Sequence, residues 1–424
     1  MRRIRTNYMI FWSSQAVSQF GSALTGYALI IWAYENTHSA MAVSLLTFCT
    51  YLPYIITSIF AGTFVDRYSR KTIMVLADTV AALCTLSLLV SSRTMGLNIF
   101  LVYGVNLIIG FSNAFQAPAS AAAIGTMVPK EDYEKVSGLL SFSDNLITMT
   151  SPMLAGMLYS FAGLPFIMVL DLGTFFLAVG VLIFVVKIEK VAVTEKREGV
   201  FSGFVEGCRF LKQHTGILYI MLTLALINFL SRLTYENILS PMILARSGGN
   251  TAVYGIVSGV LGAGGILGGI LVAKKKKSKN YVKMIYVSAA VSFLFGDLLM
   301  GIGQNAFFWC IAGLAASVPI PFVMAAQRVI LYEQVPQEKQ GRIFAVRNAI
   351  QYSAIPAGIL LGGWLADYVF EPFMASENGL VFLLQKLVGQ GDGSGMAVMF
   401  LCTGILGTLA SVIGYKKVSK AGRL

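Results

Sequence analysis

Long runs of apolar residues dominate the chain, and each run has the length of a membrane-crossing helix. A helix needs about 20 mostly apolar residues to cross the hydrocarbon core of a bilayer. Twelve such runs, separated by polar segments, predict twelve transmembrane helices. The first six predicted spans are Tyr8–Ala33, Met41–Val65, Thr72–Ser91, Leu97–Ala117, Val136–Ser160 and Leu164–Val186. The second six are Gly216–Pro241, Thr251–Ala273, Val282–Gly303, Ala306–Ile330, Gly341–Tyr368 and Gly395–Tyr415.

The Lys and Arg residues between these runs predict the orientation of the chain. Cytoplasmic loops of membrane proteins are enriched in both residues. With both termini in the cytoplasm, only Arg93, Arg246 and Lys386 of the 32 Lys and Arg residues lie in outer loops. Three more lie within predicted spans, at Arg232, Arg328 and Arg347. We therefore predict a multi-pass plasma-membrane protein with both termini cytoplasmic.

The composition agrees with a membrane protein and argues against other classes. Apolar residues make up 56% of the 424 residues and charged residues 12%, whereas soluble domains have about 25% charged residues. A transmembrane β-barrel would show short alternating strands instead of continuous apolar runs. The net charge of +12 follows from the basic loops and needs no nucleic-acid partner. We expect the partners to be the lipid bilayer and a small-molecule substrate, and the chain to be a monomer.

A long polar stretch after the sixth span divides the chain into two halves. We predict an N-terminal six-helix bundle over residues 1–187, a cytoplasmic linker over 188–215 and a C-terminal six-helix bundle over 216–424. A shift of 207 residues places Gly62 on Gly269 and Gly156 on Gly363, with four further matches at equivalent turns. Internal repeats of this kind are typical of transporters. The predicted fold is an all-α membrane protein of two pseudo-symmetric bundles.

The turn between the second and third spans reads Gly62-Thr-Phe-Val-Asp66-Arg67-Tyr-Ser-Arg70-Lys71. It resembles the signature loop of the major facilitator superfamily, and the twelve spans and the central division extend this resemblance along the whole chain. Within the superfamily the chain is similar to the macrolide-efflux-like branch of bacterial drug exporters. The phrases that carry this similarity are Phe115-Gln-Ala-Pro118, Ser151-Pro152, Asp171 and Gly362-Gly363-Trp-Leu-Ala-Asp367.

The resemblance implies a cytoplasmic latch at this turn. In members of the superfamily the loop aspartate bridges to the start of helix eleven and holds one conformation. Carried over, the latch would consist of Gly62, Asp66, Arg67, Arg70, Lys71 and Arg347. Glycine permits close helix approach, and an aspartate suits the partial positive charge of a helix N-terminus. Alternatively, the basic residues only enforce orientation.

Ionisable side chains within the spans are candidates for function, because a charge inside a membrane is costly unless it is paired or hydrated. Arg232 and Glu236 lie four residues apart in span seven, which predicts one helix face. Glu236 and Asp144 are candidate coupling residues, and a structural ion pair is the alternative for the first. Asp78 is a potential partner of Arg70 or Lys71. Asp171 and Asp297 suit hydrogen bonds between helices.

Amide side chains complete the predicted substrate site. A cavity with few fixed charges and many aromatic residues suits a large amphipathic substrate. The predicted substrate-binding residues are Gln15, Gln19, Asn113, Gln116, Asn228, Arg232, Glu236 and Gln327. Glycine spacing in span eight also predicts close helix contacts through two pairs, Gly264 with Gly268 and Gly265 with Gly269.

Proton-driven export is the leading functional hypothesis. The two histidines and five cysteines show no metal-ligand spacing, so we expect no cofactor and no enzyme. Two departures argue against the usual coupling route: no arginine precedes Gly110 in span four, and the span-five motif is reduced to Ser151-Pro152-Met-Leu-Ala-Gly156. The alternatives are uptake or facilitated diffusion of a nutrient, and a receptor or scaffold without transport.

For the outer segment 371–395 we predict a helix that lies at the membrane interface.

Overall fold

A computed structural model describes residues 6–65, 68–129, 133–188, 208–274, 278, 280–334 and 337–420. Within these ranges the regular structure is helical, and no strand is found. Eleven helices in this part of the chain are long and apolar enough to cross a membrane. One of them holds the predicted fifth and sixth spans in succession, so all twelve predicted spans are accounted for.

The first of two compact units comprises Met1–His38 and Leu45–Glu195. Within it, α1 packs along α5, and α3 contacts both α4 and α5. A buried apolar cluster that includes Tyr8, Phe11 and Met74 joins these helices near one end. The helices of this unit are α1 (Thr6–Thr37), α2 (Ala40–Val65), α3 (Arg70–Thr94), α4 (Ile99–Met127) and α5 (Tyr133–Phe184).

The second unit comprises Ser39–Ser44 and Lys196–Leu424, so the N-terminal turn of α2 belongs to it. Its first helices are α6 (Thr215–Arg232), α7 (Leu239–Arg246), α8 (Thr251–Lys274), α9 (Tyr281–Ile302) and α10 (Ala306–Ser317). The remaining helices are α11 (Ile320–Gln334), α12 (Gln337–Leu365), α13 (Gly379–Val388) and α14 (Ser394–Lys420). Helix α6 packs against α12 and α14, and α8 packs against α10. Most of the predicted linker lies outside the described residues, so the predicted domain boundaries stay a prediction.

Asparagine residues fix the starts of several helices. A side-chain oxygen at this position satisfies one of the backbone N–H groups that the first helical turn leaves unpaired. Asn98 accepts a hydrogen bond from the Phe100 N–H at 2.9 Å, and Asn280 accepts one from the Lys283 N–H at 2.8 Å. The same cap begins α10 and α13, at Asn305 and Asn378. These polar residues set where the apolar runs become helical.

The helices break at one boundary between predicted spans and within two of the predicted spans. The break between spans five and six is at Gly163, whose φ of 75° and ψ of 173° are not helical. The prediction of one helix over Gly216–Pro241 was wrong, because α6 ends at Arg232 and six residues of turn precede α7. Span ten is also divided, between α10 and α11. Pro319 lies in that gap, and a proline cannot donate the hydrogen bond that would continue the helix.

The glycine pairs of span eight differ in their surroundings. A methyl group on Gly264 would lie 2.0 Å from the Ser317 hydroxyl, and one on Gly268 would lie 2.2 Å from the Val318 carbonyl oxygen. This pair therefore permits the close approach of α8 to α10, as predicted. The prediction for Gly265 and Gly269 was wrong, since no described residue of another helix lies within 4 Å of a Cβ placed at either position.

The segment after span eleven contains the predicted short helix, α13. Its Val381 and Val388 are buried, while Leu380, Phe382 and Leu383 are exposed. The carbonyl of Val388 accepts a hydrogen bond from the Arg246 guanidinium, which complements the partial negative charge of a helix C-terminus. The helix thus presents apolar side chains outward while its end is anchored to α7.

Candidate functional site

The first unit holds a cluster of one carboxylate and two amides from three helices. The Gln116 amide nitrogen in α4 donates to Asp78 Oδ1 in α3 at 2.9 Å and to Gln15 Oε1 in α1 at 3.3 Å. The prediction that Asp78 pairs with Arg70 or Lys71 was wrong. Both basic residues donate instead to backbone carbonyls near the ends of α4 and α5. Two predicted substrate-binding amides are thus brought together around a carboxylate.

Two further buried carboxylates join helices through hydroxyl groups, as predicted. In the first unit, Asp171 of α5 accepts hydrogen bonds from Ser22 of α1 and Thr85 of α3, each at 3.0 Å. In the second unit, Asp297 of α9 accepts one from Thr403 of α14 at 2.7 Å. Because both carboxylates accept hydrogen bonds from neighbouring helices, they stabilise helix packing within their own units.

The second unit places an ion pair where the seventh span is interrupted. Arg232 is the last residue of α6, and Glu236 lies in the following turn. The Arg232 guanidinium donates to the Glu236 carboxylate, and their side chains are 31% and 26% exposed within the chain. Asn228, one turn earlier, is half-buried. The ion pair is therefore partly exposed at the position where the helix is interrupted.

Close packing surrounds this interruption. A methyl group on Gly362 would lie 2.4 Å from the Leu233 carbonyl oxygen, and one on Gly363 would lie 2.2 Å from the Ser44 hydroxyl. The fully buried Asn237 side chain donates to the Ile359 carbonyl at 2.7 Å and to Ser44 Oγ at 2.6 Å. Gly362 therefore lets the turn after α6 lie directly against α12, and Gly363 does the same for the N-terminal turn of α2.

Asp367 binds the N-terminal turn of α2 inside the second unit. Its carboxylate accepts hydrogen bonds from the Ser39 hydroxyl at 2.5 Å, the Ala40 N–H at 3.0 Å and the Met41 N–H at 2.9 Å. A carboxylate at this position satisfies unpaired backbone donors and complements the partial positive charge of the helix end. Residues 39–44 are thereby held against the segment that follows α12.

The predicted latch is only partly within the described residues. Asp66 and Arg67 lie outside them, and nothing is described around Gly62 beyond its place in α2. Arg70 donates to the Ala122 carbonyl at 2.8 Å, and Lys71 donates to the carbonyls of Ile183 and Val186. Arg347 is half-buried in α12. The latch between Asp66 and Arg347 stays a prediction.

Other predicted site residues lie apart from these clusters. Gln19 and Asn113 are exposed in the first unit, as is Asp144, the second coupling candidate. Gln327 is buried in α11, and its amide nitrogen has no hydrogen-bond partner among the described residues. The sequence reasoning missed the bonds made by Asp78, Asn237 and Asp367. For Asp367 a signal was available, since it ends the glycine-rich phrase of span eleven.

Comparisons with known proteins agree with this architecture. The sequence profile of the Major Facilitator Superfamily matches residues 11–359. The chain is 29% identical to Macrolide efflux protein A of Streptococcus pyogenes over 86% of this chain and 90% of the relative. It is 24% identical to Multidrug efflux pump Tap of Mycolicibacterium fortuitum over 82% and 86%. A bacterial homologue of the human lysosomal transporter Spinster, in an inward-facing and unoccupied conformation, shares its fold, with a TM-score of 0.69, 12% identity and 99% coverage of both chains. The twelve spans in two six-helix bundles therefore have the major facilitator fold, and this membrane protein belongs to the Major Facilitator Superfamily.

Proposed function

We propose that this protein exports a macrolide or a similar amphipathic compound across the plasma membrane, by alternating access and at the expense of the proton gradient. The similarity to a macrolide efflux protein along most of the chain supports the substrate class. The main structural support for the proposed substrate site is the partly exposed Arg232–Glu236 pair at the interruption of a membrane-spanning helix. Interrupted helices are where transporters of several folds bind substrate and coupling ions.

In the second unit, Glu236 is proposed to receive the basic amine of a macrolide. In the described structure its carboxylate is bound by Arg232, and a substrate ammonium would compete for the same oxygen atoms. Asn228 and Gln327 would add hydrogen bonds to the polar groups of the substrate. In the first unit, the proposed contacts are Gln15, Gln19, Asn113 and Gln116.

Coupling through Glu236 or Asp144 is the second part of this proposal. The Glu236 carboxylate is bound by Arg232, so a proton on Glu236 would release Arg232. Asp144 is exposed in α5, where it can exchange a proton with water whenever a cavity reaches it. Protonation of Glu236 would therefore change its contact with Arg232, and Asp144 is the alternative proton carrier.

Transport of radiolabelled erythromycin into proteoliposomes with an imposed pH gradient tests the proposal. We expect gradient-driven uptake by the wild-type protein, and loss of that component in Glu236→Gln, because the amide keeps the shape but not the charge. Glu377→Gln, which alters an exposed acidic residue between α12 and α13, is the matched control and should transport like the wild type.

Two other outcomes would replace the proposal. Erythromycin movement that ignores the pH gradient in every variant would favour facilitated diffusion. Binding of erythromycin without movement under any gradient would favour a receptor without transport.

A further inference from the structure

Asp78 is a half-buried residue with a buried carboxylate oxygen; the proposed transport chemistry gives it no role, and it lies against two proposed substrate-binding amides. We propose that Asp78 is the proton-carrying residue of the first unit, and that its protonation changes how Gln15 and Gln116 meet the substrate. The inference rests on the proposed proton-driven export. It concerns a different residue and a different unit from the Glu236 pair.

The hydrogen-bond inventory of the cluster supports a bound proton. Three buried polar atoms make no hydrogen bond of regular geometry among the described residues, namely Asp78 Oδ2, Gln116 Oε1 and Gln15 Nε2, although the Gln15 side chain lies close enough to Asp78 to interact with it. Two of these atoms are acceptors and one is a donor. An ionised carboxylate can only accept, whereas a protonated one also donates. The cluster has more unpaired acceptors than unpaired donors. A proton on Asp78 Oδ2 would turn that oxygen into a hydrogen-bond donor.

Among the described residues, the groups that bond to Asp78 are amides and not basic side chains. Arg70 and Lys71, two turns earlier in α3, donate to carbonyl oxygens of α4 and α5. Helices α1 and α4 contribute the side chains of Gln15 and Gln116 to the cluster, and these amides carry no charge. From α5 the nearby ionisable group is Asp171, which has the same sign. A carboxylate that lacks a basic partner in a low-dielectric site gains from binding a proton.

A small cavity gives this proton a place to enter. The cavity has a volume of about 30 Å³ and reaches both Asp78 and Asp171. The hydroxyl-bearing residues Ser18, Ser22 and Thr85 also line it. This volume is large enough to admit a water molecule, and the lining offers the several polar partners that a buried water needs. One water molecule there would connect the two carboxylates through hydroxyl groups.

Protonation would act on the substrate through Gln116. With Asp78 ionised, the Gln116 NH₂ group donates to it. With Asp78 protonated, the new O–H would donate to the Gln116 carbonyl oxygen after rotation of the amide, which turns the NH₂ group toward other partners. The O–H bond forms with a proton taken from water on one side of the membrane and breaks when that proton is returned on the other. The binding of a proton and the binding of the substrate are thereby coupled.

Erythromycin transport by Asp78→Asn in the same proteoliposomes tests the inference. Asparagine keeps the size of the side chain and can hydrogen-bond to both glutamines, but it cannot exchange a proton. We expect loss of the pH-gradient-driven component, with exchange of labelled for unlabelled erythromycin retained. Glu35→Gln is the matched control, because Glu35 is an acidic residue of the same unit that accepts a hydrogen bond from the Tyr159 hydroxyl near the end of α1. Wild-type gradient dependence in Asp78→Asn would overturn the inference and leave the proposed export intact.

A second measurement separates the inference from the export itself. Infrared difference spectra of the purified protein between acidic and alkaline pH should contain a carboxylic-acid C=O band that Asp78→Asn removes and Glu35→Gln retains. If the wild-type protein moves no erythromycin, the proposed function fails, while this band still reports on Asp78. A spectrum unchanged by Asp78→Asn, or transport driven by a sodium gradient instead of a pH gradient, would overturn the proton-carrying role.

Discussion

At the scale of the residue, Gly163 carries the connection between two consecutive membrane-spanning segments. Its φ of 75° and ψ of 173° lie in a region that only glycine adopts without strain. No neighbour crowds the position, since the nearest atom to an added Cβ is Pro165 Cδ at 3.7 Å. The requirement for glycine is therefore one of backbone conformation and not of space.

Replacing Gly163 by alanine should lower the stability of the protein by about 1–3 kcal/mol, because the strained backbone conformation would persist. The measurement is the thermal unfolding midpoint of the detergent-purified protein. Gly173→Ala is the matched control: it lies within the helical part of α5, and no other group surrounds it within 4 Å. Alanine favours a helix over glycine, so this variant should be neutral or slightly more stable. Equal destabilisation by both changes would contradict the explanation.

At the scale of the element, the length of apolar runs predicted the spans, because the thickness of a bilayer imposes that length. Pro319 lies at the break in span ten, but the prolines inside α2, α4 and α12 do not break those helices, so proline alone did not predict this break. The break after Arg232 was not predictable either, since residues 233–238 contain neither glycine nor proline; it depends on tertiary contacts with α12. For the same reason the partners of Asp78 and Asp367 could not be predicted, because they come from helices far away in sequence.

The start of α2 depends on an element outside its own sequence neighbourhood. Asp367→Asn should weaken the three hydrogen bonds to Ser39, Ala40 and Met41, at a cost of about 1 kcal/mol, as for the loss of a helix cap. Hydrogen–deuterium exchange of a peptide covering residues 39–44 should therefore become faster. Asp392→Asn, at an exposed position before α14, should leave that peptide unchanged. Unaltered exchange in Asp367→Asn would show that packing alone holds this turn.

At the scale of the whole molecule, the distribution of basic residues predicts which loops face the cytoplasm. In a variant without the five native cysteines, Asp392→Cys should react with a membrane-impermeant maleimide on intact cells. Ser419→Cys, near the end of α14, should react only after the membrane is opened. Both positions are exposed in the structure, so a difference in labelling reports sidedness. The reverse pattern would invert the predicted orientation.

In the part of the chain that the structure describes, two π-helical turns, Ser292–Asp297 and Ala366–Phe370, interrupt otherwise regular helices, and each contains an aspartate. A π-helical turn holds one residue more than the α-helical turn it replaces. Each residue of an α-helix advances about 100° around the axis, so loss of one residue here would rotate all side chains on one side of the turn by that angle. Asp297 would then face away from Thr403, and Asp367 away from Ser39. Lineages that gain or lose a residue at these turns would therefore change which helices their aspartates join, while the apolar spans stay the same.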